Sequence, residues 1–451
     1  MKKTLFLFIP HFVFSSDLLN TNYIKYLSSK YRVIVFSPIF KNNPADLYYQ
    51  SEDVEYIGLD LEYPNFWLFL TKTLRISLIR EFDELRYFKL RKITKINLNW
   101  QRKLLRFLGW FFPRKLLTAD FFTKLECWLL PNSKRFTEYI KKYNPSLILT
   151  CTPGFSPDET EAIILSKKNN LKTVAINSSW DNFTSNSIQF RKTDYLICWN
   201  KVMKEEAEKI HNYSPDKVFV SGICRFDHHF EKNNNDNISR EEFLLSKNLD
   251  PSLKTLLLCT VPPNTYPPQY KVWEEILKLR EDKKISTDVN ILIRLHPNDL
   301  IGRYDKFKNL KNIHIELAGK SKNKTSSSNH KIEMDELDLV NLRLSLKYTD
   351  ININFRSSLS LEATIYDQPI INIALYNFSN RYDVDWYIPI IQSGGVKLVT
   401  TIEELCSAIN KYLENPDTDK LGRQKIFDDY IKFSDDLSYK RNADIIDKIL
   451  L

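Results

Sequence analysis

A strand-like apolar run in the second half of the sequence ends in side chains that could bind an anion. The run at residues 289–295 contains Arg294, His296 follows it directly, and Pro297 then ends the strand. An imidazole N–H that contacts a phosphate leaving group would stabilise its charge as the bond breaks. Arg294 lies two residues before His296, so both side chains would point to the same face and Arg294 could assist. The alternatives are a buried core histidine at position 296 and a structural ion pair at position 294.

A second strand-like run, at residues 350–354, leads into a serine pair. Ser357 and Ser358 precede a helical pattern, so they can cap a helix, and free backbone N–H groups at such a position attract phosphate oxygens. Glu362 follows about one helical turn later. The carboxyl ends of parallel strands face the same crevice, where open α/β sheets bind ligands. The two runs together therefore predict a site for a diphosphate or a nucleoside phosphate, with capping and packing as the alternatives for these three residues.

Asp181 is the candidate general base. It follows a predicted strand at residues 172–177, on a loop expected at the ligand crevice, and could take a proton from an acceptor hydroxyl. A turn-forming aspartate is the alternative. Asp158, Glu159 and Glu161 follow another strand-like run and compete for the same role, although they also form an ordinary helix start.

Strand and helix patterns alternate along both halves of the chain, which predicts parallel sheets with helical crossovers. The predicted strands cover residues 5–9, 32–37, 146–150, 172–177, 195–199, 218–222, 255–260, 289–295, 350–354 and 370–374. The predicted helices cover residues 18–29, 159–169, 201–211, 270–282, 360–366 and 402–413, with further helices towards Leu451. The asparagine-rich stretch at 231–236 is interpreted as a linker, and the Ser/Asn/Lys-rich composition of residues 320–330 predicts a loop.

Composition narrows the class of protein. A chain of 451 residues favours two domains, and its 43% hydrophobic content is that of a globular protein. No Gly-x-Gly-x-x-Gly and no P-loop sequence occurs, which argues against a classical dinucleotide fold or a P-loop enzyme. The six cysteines are far apart and show no metal-ligand spacing, so we expect buried thiols in a reducing cytoplasm and no zinc site.

The positive charge is concentrated in one segment. Residues 71–115 contain thirteen Lys and Arg against three acidic residues, a net charge of +10, whereas the whole chain carries +9. The segment also contains Trp100, Trp110 and Phe111. A basic face beside an aromatic face suits an anionic membrane surface, which would place the protein on the inner face of the plasma membrane. A solvated helix pair packed on the domain is the alternative, and no nucleic-acid-binding signature accompanies the charge.

The motifs, in this order and spacing, resemble those of bacterial surface-carbohydrate transferases of GT-B type. Arg294-Leu295-His296-Pro297 is similar to the His-Pro motif of bacterial sialyl- and polysialyltransferases and of CDP-glycerol glycerophosphotransferases, and Ser357-Ser358 to their paired Ser/Thr motif. Residues 179–184, and Ser221-Gly222 with Arg225, resemble stretches of uncharacterised surface-carbohydrate proteins.

This resemblance implies an α/β fold of GT-B type, with two Rossmann-like domains facing an interdomain cleft. We expect an acceptor-side domain over residues 1–230, with a basic helical insertion at 71–130, and a nucleotide-donor-binding domain over residues 231–425. Residues 426–451 would form a C-terminal helix that could cross back to the N-terminal domain. In many GT-B enzymes a glutamate near the position of Glu362 holds a ribose.

The implied activity is metal-independent transfer, without a cofactor, of a sugar or an alditol phosphate to a surface polysaccharide of capsule or lipopolysaccharide type. The donor would be a nucleotide-sugar or CDP-activated compound, CMP or CDP being favoured, and the acceptor a glycan or a lipid-linked glycan. Asp383 and Asp385 form an Asp-x-Asp sequence that we interpret as structural. A UDP-sugar 2-epimerase-like enzyme and a non-catalytic glycan- or nucleotide-binding member of a polysaccharide synthesis complex are the alternatives.

Overall fold

The chain forms two compact units, one of which contains both ends of the sequence. The computed structural model describes residues 2–10, 14–41, 45–59, 65–79, 84–93, 100–113, 116–186, 191–231, 238–299, 301–318, 320–321, 332–333 and 336–451. The first unit is Met1–Arg225 with Leu437–Leu451, and the second is Phe226–Asp436. Over the described residues, no helix combines the length and the apolar character needed to cross a bilayer.

The first unit is built on a parallel sheet. Within the described ranges this sheet has seven strands in the order β3-β2-β1-β4-β5-β6-β7. The strands are β1 (Thr4–Phe8), β2 (Arg32–Ser37), β3 (Val54–Gly58), β4 (Leu147–Thr150), β5 (Thr173–Ile176), β6 (Tyr195–Cys198) and β7 (Val218–Val220). Leu5 and Leu7 of β1 pack into one apolar cluster, and Phe6 and Phe8 into another. Both faces of the sheet are therefore covered, which is why its inner strands are apolar throughout.

Helices connect these strands, and five of those described lie between β3 and β4. The helices are α1 (Ser15–Leu18), α2 (Tyr23–Lys30), α3 (Asn65–Leu78), α4 (Arg86–Ile93), α5 (Trp100–Gly109), α6 (Ala119–Leu129), α7 (Lys134–Tyr143), α8 (Pro157–Lys168), α9 (Asn182–Ser185), α10 (Lys201–His211) and α11 (Cys224–Asp227). The predicted helix at 18–29 is interrupted, because the Thr21 hydroxyl donates to the carbonyl of Asp17 and accepts the N–H of Tyr23.

The second unit has its own parallel sheet. In the described part of the chain it has six strands in the order β10-β9-β8-β13-β14-β15, beside a separate antiparallel pair, β11-β12. The strands are β8 (Lys254–Cys259), β9 (Val289–Leu295), β10 (Ile313–Leu317), β11 (Lys320–Ser321), β12 (Ile332–Glu333), β13 (Ile351–Asn354), β14 (Ile370–Ile373) and β15 (Lys397–Val399). Ile351 and Ile353 of β13 pack into the main apolar cluster. Because side chains alternate along a strand, Asn352 and Asn354 face the other side.

The second unit contains most of the remaining helices. They are α12 (Arg240–Ser246), α13 (Gln269–Glu281), α14 (Glu336–Tyr348), α15 (Leu359–Glu362), α16 (Ile388–Gln392), α17 (Ile402–Glu414) and α18 (Lys420–Ile426). The last helix, α19 (Ser438–Leu450), belongs to the first unit. There the Tyr23 hydroxyl donates to Asn442 at 3.0 Å, and Lys30 pairs with Asp447 at 2.7 Å, so α19 is fastened to α2.

The strands that the sequence analysis missed are edge strands. β3 is one edge of the first sheet, and β10 and β15 are the two edges of the second. An edge strand is covered less completely and tolerates polar residues, as in Ile-His-Ile-Glu-Leu of β10, so its apolar pattern is weak. The predicted linker lies almost wholly outside the described residues, as does most of the predicted loop at 320–330, whose first two residues form β11.

Candidate functional site

Three neighbouring strands of the second sheet end at one edge. β9 lies on one side of β8 and β13 on the other, and all three are parallel. The register pairs Cys259 with Arg294 and Leu258 with Ile353, so the strands end at nearly the same level. Since neighbouring strands lie about 4.8 Å apart, the chain leaves β9 and β13 about 10 Å apart. The His-Pro turn (residues 296–299) and the serine turn (residues 356–358) therefore belong to the same edge.

His296 is half-buried and its ring is held in one tautomer. Its backbone N–H donates to Thr260 Oγ1 at 2.8 Å, and its ring Nδ1 accepts the backbone N–H of Asn298 at 3.0 Å. Burial lowers the pKa of His296 to about 4, against an opposite effect of the Asp299 carboxylate, so the ring is neutral at pH 7. A neutral ring that accepts at Nδ1 carries its proton on Nε2. No described residue accepts a hydrogen bond from Nε2, which is therefore a donor open to a ligand.

The His-Pro turn is supported from below by buried polar side chains. Asp299 accepts hydrogen bonds from the Tyr304 hydroxyl at 2.8 Å and from the Gln269 amide at 3.2 Å. The same Gln269 side chain accepts the backbone N–H of Val261 and donates to its carbonyl. The ends of β8 and β9 are thus tied to the start of α13. The sequence analysis did not single out Gln269, Asp299 or Tyr304, because their side chains come into contact only when the ends of β8 and β9 lie side by side.

Arg294 lies in a buried ion pair. Its guanidinium donates to Glu316 of β10 at 2.5 Å and to the carbonyl of Asp338 at 3.2 Å. Lys247 also pairs with Glu316, at 2.7 Å. Burial alone would raise the pKa of Glu316, but the charges of Arg294 and Lys247 hold it below its usual range. The structural ion pair weighed as the alternative for Arg294 is present, and a phosphate-binding role for this residue stays a prediction.

The serine turn is ordered by its own hydroxyls. Ser357 Oγ accepts the backbone N–H of Leu359 at 3.3 Å, so its hydroxyl proton can still be donated. Ser358 Oγ donates to Glu362 at 3.3 Å. The helix that follows, α15, has four residues before it tightens into a 3₁₀ turn, Ala363–Tyr366. The predicted helix at 360–366 is therefore short, and a helix dipole adds little to anion binding at this turn.

A buried polar network lies beneath the serine turn. Asn354 Oδ1 accepts from Ser360 Oγ and from Asn372 Nδ2, both at 3.1 Å. The Tyr387 hydroxyl donates to Ser360 at 2.9 Å and also contacts Asn372. Hydrogen bonds between buried side chains are strong in a low-dielectric interior, so this network favours one arrangement of the strand end. The sequence signal for it was available: asparagines alternate with isoleucines in β13, so one face of a buried strand had to be polar.

Arg356 adopts an unusual backbone conformation at the end of β13. Its φ is +40°, in the left-handed region that non-glycine residues rarely adopt. The guanidinium lies 5.3 Å from the ring centre of Trp386 and donates to the carbonyl of Arg381. Strained residues of this kind cluster at ligand sites. The sequence analysis assigned no role to Arg356.

Glu362 is buried in contact with a histidine. Its carboxylate lies 3.3 Å from His229 Nε2, and His229 Nδ1 lies 3.0 Å from the Tyr366 hydroxyl. The carboxylate therefore joins the serine turn, through Ser358, to the segment that carries His229. Packing, the alternative weighed for Glu362, accounts for these contacts, and ribose binding stays a prediction.

Asp181 lies at the carboxyl edge of the first sheet and directly precedes α9, without a side-chain capping hydrogen bond. Its two carboxylate oxygens accept from the Ser179 hydroxyl at 2.5 Å and the Ser185 hydroxyl at 3.1 Å. Its carbonyl also accepts the N–H of Thr184 at 3.2 Å. The turn-forming role is thus observed. It leaves lone pairs on the half-buried carboxylate, so a role as general base stays a prediction.

Two of the competing acids after β4, Glu159 and Glu161, are buried. Glu159 accepts the backbone N–H groups of Cys151 at 2.5 Å and Thr152 at 3.2 Å, and it fixes the end of β4. Glu161 is fully buried within the domain, and the side chain of Asp158 lies outside the described residues. Glu159 is therefore a structural carboxylate.

A buried cluster of three charges joins the helical insertion to this edge. Glu126 of α6 accepts from Arg75 Nε at 2.9 Å and from Arg191 Nε at 3.0 Å, and all three side chains are buried. Arg191 also donates to the carbonyl of Gly154, just after β4, at 3.1 Å. Gly154 has a φ of +82°, and a Cβ there would lie 2.6 Å from the carbonyl oxygen of Arg191. Sequence analysis missed this cluster.

The Ser-Gly-x-x-Arg stretch also has a structural explanation. Arg225 pairs with buried Asp17 at 3.0 Å, and its guanidinium lies 5.3 Å from the ring centre of Trp199. Ser221 accepts, through its carbonyl, the guanidinium N–H of Arg441 on α19 at 2.8 Å. The motif thus ties the end of β7 to both terminal regions of the first unit.

Comparisons with known proteins identify the fold. No protein-family model matches the sequence, and no curated protein matches it. Among solved structures, the wall teichoic acid polymerase TagF, in crystals soaked with CDPG, has a TM-score of 0.52 at 14% identity, over 99% of this chain and 88% of its own. A glycosyltransferase from Rickettsia africae ESF-5 has a TM-score of 0.52 at 15% identity, over 100% of this chain and 99% of its own.

A third similar structure is an epimerase. The UDP-GlcNAc 2-epimerase from Neisseria meningitidis, bound to UDP-GlcNAc, has a TM-score of 0.54 at 12% identity, over 99% of this chain and 100% of its own. Likenesses at such low identity establish the fold. The resemblance to sialyltransferases is not confirmed by these structures and stays a prediction. The predicted fold class is confirmed: the chain is an α/β protein with two Rossmann-like domains of GT-B type.

Proposed function

We propose that the protein is a metal-independent GT-B transferase that moves a sugar or an alditol phosphate from a nucleotide-activated donor to a surface polysaccharide. The second unit would bind the donor, and the first unit would bind the acceptor. The observation that carries the proposal is the Nε2–H group of His296 at the carboxyl edge of β9, on the same edge as the serine turn.

The leaving group in such a transfer is a nucleotide phosphate, on which negative charge grows as the bond to the transferred group breaks. A preorganised donor aimed at that charge lowers the barrier. The neutral His296 ring supplies one such donor, and the Ser357 hydroxyl can supply a second. Uncharged donors replace the role of a metal ion in this scheme, so we propose that turnover does not depend on one.

The type of donor is inferred from two sources. The order of the His-Pro and Ser-Ser motifs resembles that of enzymes that use CMP- and CDP-activated donors, and TagF was soaked with CDPG. We therefore favour CMP or CDP over UDP. The acceptor would be a glycan or a lipid-linked glycan of capsule or lipopolysaccharide type. All six cysteines are free, which supports a location in the reducing cytoplasm.

A thermal-shift experiment with CMP, CDP, UDP and GDP tests nucleotide binding. A nucleotide at about 100 times its Kd stabilises the folded state by about 2.7 kcal/mol, which corresponds to a rise in Tm of about 5–10 °C for a unit of this size. We expect CMP or CDP to give the largest rise. His296→Asn should reduce it, whereas His314→Asn, a change of another half-buried histidine on β10, should not. No shift with any nucleotide would contradict the proposal and favour a non-catalytic role.

A transfer assay separates the proposed reaction from epimerisation. A transferase releases nucleotide and lengthens its glycan acceptor, and it releases little nucleotide when the acceptor is absent. A UDP-sugar 2-epimerase would convert UDP-GlcNAc without any acceptor. Acceptor-independent epimerisation of UDP-GlcNAc by the purified protein would refute the transferase proposal.

A further inference from the structure

Helix α5 in the insertion turns its apolar side chains outwards. Trp100, Leu104, Phe107 and Leu108 follow the spacing of one helix face, and Phe111 continues that spacing in the turn after Gly109. All five are exposed, with 71% of Trp100, 60% of Phe107 and 69% of Phe111 accessible. We call these five residues the apolar stripe. An amphipathic helix of a globular domain normally turns such a face to the core. The outward orientation therefore means that the domain core does not use this face.

The opposite face of α5 is the one that contacts the domain. Gly109 is buried there, and a Cβ at this position would lie 2.5 Å from Leu78 Cδ2 of α3. On a helix, Gly109 lies about half a turn from the direction of Trp100. Helix α5 therefore packs on α3 through the face opposite Trp100.

The apolar stripe continues into neighbouring aromatic residues. The ring of Phe111 lies 5.5 Å from that of Phe107 and 6.5 Å from that of Trp110, which is itself 70% exposed. Phe112, the next residue along the chain, is also exposed. Contiguous exposed apolar surface of this kind marks a binding surface rather than ordinary scatter of apolar side chains.

The charge of the segment selects the partner. Residues 71–115 carry a net charge of +10. Arg75 is buried in its pair with Glu126, whereas Arg86, Lys89 and Lys103 are exposed, and Lys103 lies on α5 beside the apolar stripe. A second copy of the chain would bring two such segments together, and the like charges would repel. An anionic bilayer offers the opposite charge together with an apolar interior for the aromatic rings.

We infer that the apolar stripe inserts into the headgroup region of an anionic membrane, with α5 lying in the plane of the interface. Large aromatic side chains supply apolar burial, and the basic residues supply attraction that salt screens. This inference goes beyond the proposed transfer reaction, since it concerns only the insertion of the first unit. It is tested without nucleotide or acceptor, so its failure and that of the proposed function can be told apart.

Vesicle co-sedimentation provides the test. The full chain is mixed with vesicles of phosphatidylcholine alone or of phosphatidylcholine with phosphatidylglycerol. We expect binding to the anionic vesicles at low salt, at least about tenfold weaker binding to the neutral ones, and a similar loss when the salt concentration is raised to about 0.5 M. Equal binding to both kinds of vesicle, or none to either, would overturn the inference.

Matched variants locate the binding surface. The triple change Trp100→Ser, Phe107→Ser and Phe111→Ser should weaken binding to anionic vesicles by at least about tenfold, because each ring loses its apolar burial. Leu421→Ser on α18 replaces another exposed apolar residue, 88% accessible, and should leave binding unchanged. An unchanged Tm in each variant shows that the fold is intact. Triple-variant binding equal to that of the wild type would refute the role of the stripe.

Two charge-reversal variants test the electrostatic part of the inference. Lys103→Glu should weaken binding by about fivefold or more, since one basic residue near an anionic surface contributes about that factor. Lys411→Glu changes the net charge equally, from an exposed position on α17, and should have little effect. Light scattering without lipid measures self-association. A stable dimer that the triple variant abolishes would assign the stripe to a second copy of the chain and overturn the membrane inference.

Discussion

Replacing His296 by asparagine or by glutamine separates the two hydrogen-bonding functions of its ring. Asparagine can place its amide oxygen near the position of Nδ1 and still accept the N–H of Asn298, but it has no donor at the position of Nε2. Glutamine can place its amide N–H near the position of Nε2 but leaves the N–H of Asn298 without its acceptor. The two variants therefore remove opposite halves of the same site.

The expected effects on rate and stability are opposite. Loss of a donor that stabilises developing charge costs about 100- to 1000-fold in rate, so His296→Asn should lose that factor in kcat and keep its Tm. Loss of one acceptor for a half-buried N–H costs about 1 kcal/mol, so His296→Gln should lower Tm by about 2–4 °C. It should keep a rate within about tenfold of the wild type. Steady-state kinetics and calorimetry of both variants measure this pattern.

The pH dependence provides a second measurement on the same residue. Burial lowers the pKa of His296 to about 4, whereas an unfolded histidine titrates near 6.5. The unfolded chain therefore binds more protons between these values, and the contribution to stability is complete above pH 6.5 and lost as pH falls towards 4. About 1–2 kcal/mol should be lost over this window, after allowance for the partly exposed ring, and His296→Asn should lack this loss.

Two results would refute the assignment of a neutral donor. The first is a wild-type kcat in a folded His296→Asn variant, which would make His296 a core residue alone. The second is a wild-type rate that titrates with an apparent pKa near 6.5 and loses this step in the variant. That outcome would mean that the ring gains or loses a proton during turnover.

Two further substitutions test how the first unit positions its own edge. Glu126→Gln leaves two buried arginines without their counter-charge, so it should cost about 3–5 kcal/mol of stability and lower Tm by at least about 6 °C. The control Asp120→Asn changes an exposed ion pair and should cost less than about 1 kcal/mol. Equal losses of stability in the two variants would contradict this account. Gly154→Ala should lower the urea midpoint of unfolding more than Gly394→Ala does. Both glycines have a positive φ, but only a Cβ at position 154 would meet the backbone of Arg191. Equal shifts of the midpoint would mean that backbone strain alone matters.

Most of the fold could be predicted because its inner strands are buried on both faces. Strand β9 is predicted at its observed bounds, since every one of its side chains is buried and the apolar run is nearly continuous. The edge strands β3, β10 and β15 escaped prediction, because half-covered strands accept polar residues and lose the apolar run.

The sequence predicted where the residues of the candidate site lie better than it predicted what they contact. The position of His296 and the serine pair could be predicted, because polar residues that directly follow apolar strands must lie at the carboxyl edge of a parallel sheet. The orientation of the His296 ring could not be predicted, since it depends on the Asn298 N–H and on burial by other segments. The strand order that puts β8 between β9 and β13 likewise comes from long-range pairing.

Local periodicity and composition are properties of the sequence, and they were sufficient to predict two parallel α/β units. Pairing between distant charges is a property of the folded chain. Arg75 and Arg191 lie 51 and 65 residues from Glu126, and the sequence marks none of the three as a partner of the others. A buried charge without a counter-charge is strongly destabilising, so these three side chains pair when packing excludes water from all of them. The orientation of α5 is likewise a property of the folded chain, in which Gly109 packs against Leu78 of α3.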